Sequence, residues 1–300
     1  VGFVICAAQL RSVTTARSHA NKGLFMRSIQ FLLVAVVSAL LGACASVPND
    51  PYYQASAAQP FDYTQQATFA DYVAHSRAQL QAHRVFFQPS QSAQELEQVA
   101  PRIYPLPAHC GKPAQGVLLV HGLLDTAYAL HDMGQVLAQR CLRVYSLLLP
   151  GHGTRPADLI HTTRHEWLAA VRFGVRALAQ EVDDVTVIGY SLGGLLATQV
   201  ATETQGEGRS IRRLVLLAPA LEVAYPTLSR IATFYRYASD WVDVDPNHIP
   251  VRYQSMPTQA VAETFLLSRE VQRRLHTQPL RQPVFMLLSA DDLVIDAQAA

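Results

Sequence analysis

The stretch Val185-Thr-Val-Ile-Gly189-Tyr-Ser191-Leu-Gly193-Gly194 constrains this chain most: a β-branched run meets an amphipathic one across Gly-x-Ser-x-Gly. A serine on a sharp strand-to-helix turn needs small neighbours, because the backbone there is strained and closely packed. The turn lifts the hydroxyl clear of the sheet at a helix N-terminus, which presents Ser191 as a nucleophile, the bland alternative being a Gly-rich turn. It is not a phosphate loop, since no Gly-x-x-x-x-Gly-Lys is present and Ser stands at the second glycine of a dinucleotide fingerprint.

The surroundings agree with such a turn. Short apolar, β-branched runs at 116–121, 143–149, 185–189, 213–218 and 284–288 alternate with amphipathic stretches at 128–140, 163–180 and 192–204. That rhythm predicts βαβ units, an α/β fold class and a mostly parallel sheet flanked by helices. About 60 residues at 222–282 separate two strands that a simple crossover joins with far fewer, so an insertion is expected there. It carries Tyr225, Phe234, Tyr235, Tyr237, Trp241 and Phe265 in helix-forming company, which reads as a helical cap over the strand ends or as the insert's own core.

Composition narrows the function classes. Half of the 300 residues are hydrophobic, 16% are charged, and 24 Lys and Arg nearly cancel 23 Asp and Glu. Neither a disordered polyampholyte nor a charge-driven nucleic-acid binder fits, so no nucleic-acid partner is expected. Four Cys in no zinc-site spacing exclude a structural zinc module, and no metal is expected.

The N-terminal part reads as an address. An uncharged apolar run at 31–43 follows Met26-Arg27, long enough for a signal h-region and too short for the roughly 20 residues of a membrane span. It ends in Leu41-Gly42-Ala43-Cys44, which resembles the lipobox of bacterial lipoproteins, where the cysteine is acylated. The resemblance implies an exported protein anchored through Cys44, at the outer membrane if the source has two, since Ala45 rather than Asp follows. The alternative is an uncleaved anchor or an ordinary signal peptide cut nearby. Residues 1–25 precede a start methionine and read as an over-extended frame. Behind Cys44, 45–60 reads as a tether with little packing, and 61–100 as helical. The expected divisions are therefore 1–43 for extension and signal peptide, 44–110 for tether and helical segment, and 111–300 for the α/β unit with the insert at 222–282. Cys110 and Cys141 precede neighbouring strand candidates, so they form either a disulfide in an oxidising compartment or two unconnected thiols.

With these motifs assembled, the chain resembles the α/β-hydrolase family, in its capped esterase and monoacylglycerol-lipase-like or lysophospholipase-like branch. Val120-His121-Gly122-Leu123-Leu124 looks like the family's His-Gly segment; the resemblance nominates the Leu123 and Leu192 backbone N–H groups as the oxyanion hole. Leu149-Pro-Gly151-His152-Gly153 matches an architectural Gly-His-Gly loop, and Trp167 belongs with it. Leu288-Ser-Ala-Asp291-Asp292-Leu-Val294 resembles the triad-acid turn, and the family spacing selects Asp291 over Asp292 or Asp296. The departure is the base. All eleven histidines precede Asp291, and His161, His165, His248 and His276 are poor triad candidates. The expectation is an incomplete record that stops before the last strand and its His loop, so that these residues alone turn over esters weakly. The resemblance implies a serine hydrolase of acyl or lipid esters working through an acyl-enzyme on Ser191, with no cofactor. Its rivals are an inactive binding lipoprotein of the same fold and a serine aminopeptidase.

Overall fold

The computed structural model describes residues 47–64, 66–203, 211–221, 231 and 233–289. Cys44, its preceding apolar run, Tyr225 and Asp291, Asp292 and Asp296 lie outside them.

The centre is a six-stranded sheet built from β1 (Arg102–Ile103), β2 (Gln115–Val120), β3 (Arg143–Ser146), β4 (Asp184–Tyr190), β5 (Ile211–Leu217) and β8 (Val284–Leu287). The spatial order is β1-β3-β2-β4-β5-β8, with every pairing parallel except β1 on β3. Side chains alternate along each strand, so the sheet buries apolar surface on both faces. Leu118, Val120, Val185, Val187, Leu214 and Leu216 enter one core with the helices α4 (Arg164–Ala179) and α5 (Leu192–Glu203). Val117, Leu119, Val144 and Ile188 enter another with Leu130 and Ala138, the latter on α3 (His131–Gln139). This is the α/β-hydrolase fold.

Two helices begin at side-chain caps. Thr163 and Glu166 form a capping box at α4, and Thr68 and Asp71 do the same at α1 (Phe69–His83). The 61–100 stretch resolves into α1 and a shorter α2 (Ser92–Val99). The edge strand β1 is too short for any periodicity to reveal.

Two expectations need correction. The 45–60 stretch is not a loose tether throughout: Tyr52 and Tyr53 are 6% exposed and pack against Trp241, His248 and Tyr253. Two adjacent aromatic rings carry enough apolar area to order the 3-10 turn Pro51–Tyr53, which Asp50 caps at Tyr52 N–H. Nor is 222–282 all helical. Its described part pairs β6 (Trp241–Asp243) with β7 (Met256–Pro257) and ends in α6 (Thr258–Thr277), which packs on α5 and sends Leu267 and Val271 into the main core. Of its aromatics, Trp241 and Phe265 are buried, whereas Phe234 and Tyr237 are exposed.

Cys110 and Cys141 are joined by a disulfide, with Cα atoms 5.4 Å apart across 31 residues of chain. Closing a loop of that length contributes roughly 3 to 4 kcal/mol on the chain-entropy estimate. The bridge ties the chain entering β2 to the chain entering β3.

Candidate active site

Parallel register delivers the loops to one end of the sheet. Val120 pairs with Gly189, Tyr190 with Leu217 and Leu217 with Leu287, so β2, β4, β5 and β8 all release their chains on the same side. Ser191 stands one residue past β4 with φ at +52°, in the left-handed region. The strain is held from several directions. Its N–H donates to the Leu217 carbonyl at 2.9 Å, and its own carbonyl accepts from the N–H groups of Gly194, Leu195 and Ala220 at 3.0, 3.2 and 3.1 Å. The side chain is half-buried, and its hydroxyl has no hydrogen-bond partner among the described residues.

Glycines make the turn possible. A Cβ on Gly193 would overlap the Val120 carbonyl oxygen and lie 2.7 Å from that of His121. On Gly189 it would meet the Gly193 carbonyl carbon at 2.5 Å. The first turn of α5 is thereby pressed against the end of β2, where His121, Gly122 and Leu123 begin the next loop. The Tyr190 ring and the Asp125 carboxylate flank Gly122 from the other side. Leu192, fully buried, opens α5, and half-buried Leu123 lies in the turn that follows β2 and packs against the main core. Neither backbone N–H donates to an acceptor among the described residues. Two unpartnered donors thus stand on the loops that flank the serine, one of them at the positive end of a helix.

The loop geometry depends on two histidines. His121 Nε2 accepts from Leu149 N–H at 2.9 Å, and its Nδ1 lies 2.8 Å from the Gly122 carbonyl. His152 Nε2 accepts from Leu124 N–H at 3.2 Å, and its Nδ1 lies 3.1 Å from the Pro150 carbonyl. An amide can only donate to a bare ring nitrogen and a carbonyl can only accept, so both imidazoles are neutral with the proton on Nδ1. Their rings, 4.9 Å apart, lock the β2 loop to the 149–153 loop. Trp167 adds a bond from Nε1 to the Pro150 carbonyl at 3.0 Å. With both nitrogens engaged, neither histidine is available as a base for Ser191.

Burial is the first cause holding His121 well below 6.5, with His152 next. Burial likewise lowers His152 to about 4, against the opposing pull of its backbone acceptors. The unfolded chain therefore binds more protons than the folded one between pH 6.5 and about 4, and stability falls as pH drops through that window. His152 alone accounts for roughly 3 kcal/mol across the window, and for nothing above it. Urea unfolding at pH 7.5 and at pH 5 is expected to show the loss, reduced in His152→Gln. An identical pH dependence in that variant would overturn the neutral assignment.

Some features had no signal in the sequence. Leu124 adopts φ +66°, and its carbonyl accepts from Tyr253 N–H of the insert at 2.8 Å. Asp125 is half-buried beside Gly122; burial raises its carboxyl pKa, and Arg252 counters the rise. His109, Cys110 and Cys141 form the only metal-sized cluster among the described residues. Both sulfurs are committed to the disulfide, which leaves no thiolate to ligate an ion.

The profile of the alpha/beta hydrolase family matches residues 117–297, from β2 past β8. The chain belongs to that family. A thermostable monoacylglycerol lipase of Bacillus sp. (strain H-257) is 37% identical over 86 residues, 29% of this chain and 34% of the relative. A carboxylesterase of Bacillus subtilis (strain 168) is 29% identical over 87 residues, 29% of this chain and 35% of the relative. The chain therefore spans about a third of the length of the curated relatives it matches. Among solved structures, a metagenome-derived lipolytic enzyme is similar with TM-score 0.58 at 19% identity, covering 67% of this chain and 80% of that one. The monoacylglycerol lipase of Paleococcus ferrophilus gives 0.53 at 19% identity over the same shares. At such identities the likeness is one of fold. Family membership leaves open which bond a given hydrolase cleaves.

Proposed function

We propose that this hydrolase cleaves carboxylic esters of acyl or lipid type through an acyl-enzyme on Ser191. The observation that carries the reading is the Ser191 hydroxyl, held at φ +52° with no partner among the described residues, on a turn next to the Leu123 and Leu192 segments, whose backbone N–H groups also donate to no described acceptor. The serine oxygen attacks the ester carbonyl and both amides stabilise the developing oxyanion, an effect typically worth about a hundredfold to a thousandfold in rate per donor. Collapse breaks the bond to the alcohol oxygen, which leaves with a proton, and water then cleaves the acyl-serine to acid and free enzyme. The serine's proton passes to a histidine other than His121 and His152, oriented by Asp291. The monoacylglycerol lipase and carboxylesterase named above support ester substrates. Cys44 is proposed as the lipid attachment point, which would hold an exported enzyme at a membrane.

The deciding experiment uses protein expressed from its complete coding sequence and a fluorophosphonate probe. A single label on the Ser191 peptide, with hydrolysis of short p-nitrophenyl esters, is expected. No label and no turnover would favour a binding protein instead, and amide turnover exceeding ester turnover would favour an aminopeptidase. A fatty-acid analogue is expected to label the protein but not Cys44→Ser.

A further inference from the structure

The disulfide lies at the end of the sheet opposite Ser191. Cys110 and Cys141 precede β2 and β3, whereas the candidate active site is built where the parallel strands end. His109 stands beside the bridge: one of its ring nitrogens and the two sulfurs lie within 4.8 Å of one another. His109 is exposed and both cysteines are half-buried, so a small reductant reaches the bond from solvent.

The three side chains stay neighbours without that bond. The Cys110 N–H donates to the Pro107 carbonyl and the Cys141 N–H to the Ala138 carbonyl, each at 3.0 Å. Just downstream β2 and β3 pair directly, from Gly116 on Arg143 to Leu119 on Ser146. Backbone contacts therefore keep the two cysteines close, whether or not sulfur is bonded to sulfur. They are 31 residues apart, outside zinc-motif spacing, and only the fold brings Cys141 to His109 and Cys110.

Reduction changes what the cluster can hold. A dithiol transfers two electrons and two protons to the bridge, leaves as its own disulfide, and converts Cys110 and Cys141 to thiols. Two thiolates and an imidazole are donors that suit zinc, whereas magnesium and calcium take oxygen ligands. Tetrahedral zinc, with bonds of about 2.3 Å to sulfur, sets two thiolates roughly 3.8 Å apart, inside the 4.8 Å span of the cluster. Rotation about the two Cα–Cβ bonds parts the sulfurs to that distance. We infer that the reduced protein binds Zn²⁺ through His109, Cys110 and Cys141, with water in the fourth position. Binding releases both thiol protons to solvent, and the two thiolates balance the charge of the ion. The ion then replaces the disulfide as the tie between the chains entering β2 and β3.

The site is independent of ester cleavage, and its test reads metal binding and stability. Cys6 and Cys44, the other two cysteines, are replaced by Ser so that any thiolate signal comes from this pair. The bridge is reduced with tris(2-carboxyethyl)phosphine, which supplies the same two electrons, takes its oxygen from water and competes weakly for metal. Titration with Co²⁺, a spectroscopic stand-in for Zn²⁺, is expected to give sulfur-to-metal charge-transfer bands at one ion per chain, absent from the oxidised protein. Zn²⁺ should displace Co²⁺ with a Kd of about a micromolar or tighter and raise the unfolding midpoint of the reduced protein, followed by circular dichroism. His109→Ala should weaken Zn²⁺ binding at least about tenfold, and Cys141→Ser should remove the bands. The proposal is overturned by absence of the bands after reduction, by equal bands in the oxidised protein, by undiminished affinity in His109→Ala, or by an unchanged midpoint.

Discussion

Ser191→Ala in the complete protein is expected to lower ester turnover by at least about 10⁴-fold while leaving the unfolding midpoint nearly unchanged, because a catalytic serine and its base act as a unit. Alanine keeps the Cβ that makes φ +52° unfavourable, so the strain persists and only the nucleophile is lost. Ser191→Gly removes that strain as well and should be more stable than Ser191→Ala by about 1 kcal/mol. The pair separates the two properties of this position, chemistry from the oxygen and strain from the carbon. Retained turnover in Ser191→Ala, measured on p-nitrophenyl esters, would exclude the serine as nucleophile. Leu123→Ala is the contrasting control: the proposed donor is a backbone N–H, which the substitution preserves, so the rate should change little.

Gly193→Ala is expected to be the most damaging single methyl group in the chain. Its Cβ would occupy the space of the Val120 carbonyl oxygen, with the His121 carbonyl at 2.7 Å, and both are backbone atoms in or beside a sheet strand. Neither can rotate away as a side-chain tip can, so α5 must move off β2 and take Ser191 with it. A loss of about 3 kcal/mol or more is expected, at or beyond the upper end for overpacking. Circular dichroism and urea unfolding measure it directly. A variant as stable as the wild type would show that the close approach of β2 and α5 is wrong.

Much of the site could be read along the chain because strand-to-helix turns are local. Gly189, Ser191 and Gly193 stand within five residues, and the β-branched run before them and the apolar helix behind them each have their own period. The strands near 116–121 and 185–189 were similarly legible, since buried parallel strands are short unbroken apolar runs. The tyrosines at 52 and 53 were not, because their Ala-, Ser- and Pro-rich neighbours look like a linker. Their partners Trp241, His248 and Tyr253 lie some two hundred residues away, and no local pattern encodes that contact. In the insert the β6–β7 pair and the docking of α6 on α5 were not legible for a related reason: α6 has the composition of any amphipathic helix, and only its packing on α5 makes it part of the core.

The sequence by itself determined the α/β class, the turn that carries Ser191 and the small residues that turn requires, since these follow from side-chain period and backbone sterics over a few positions. Tertiary structure alone decided that His121 and His152 are neutral struts between loops rather than bases, and that the Pro51–Tyr53 turn packs against the insert. Proton affinity and packing depend on which groups burial brings together, and those groups lie far apart in the chain.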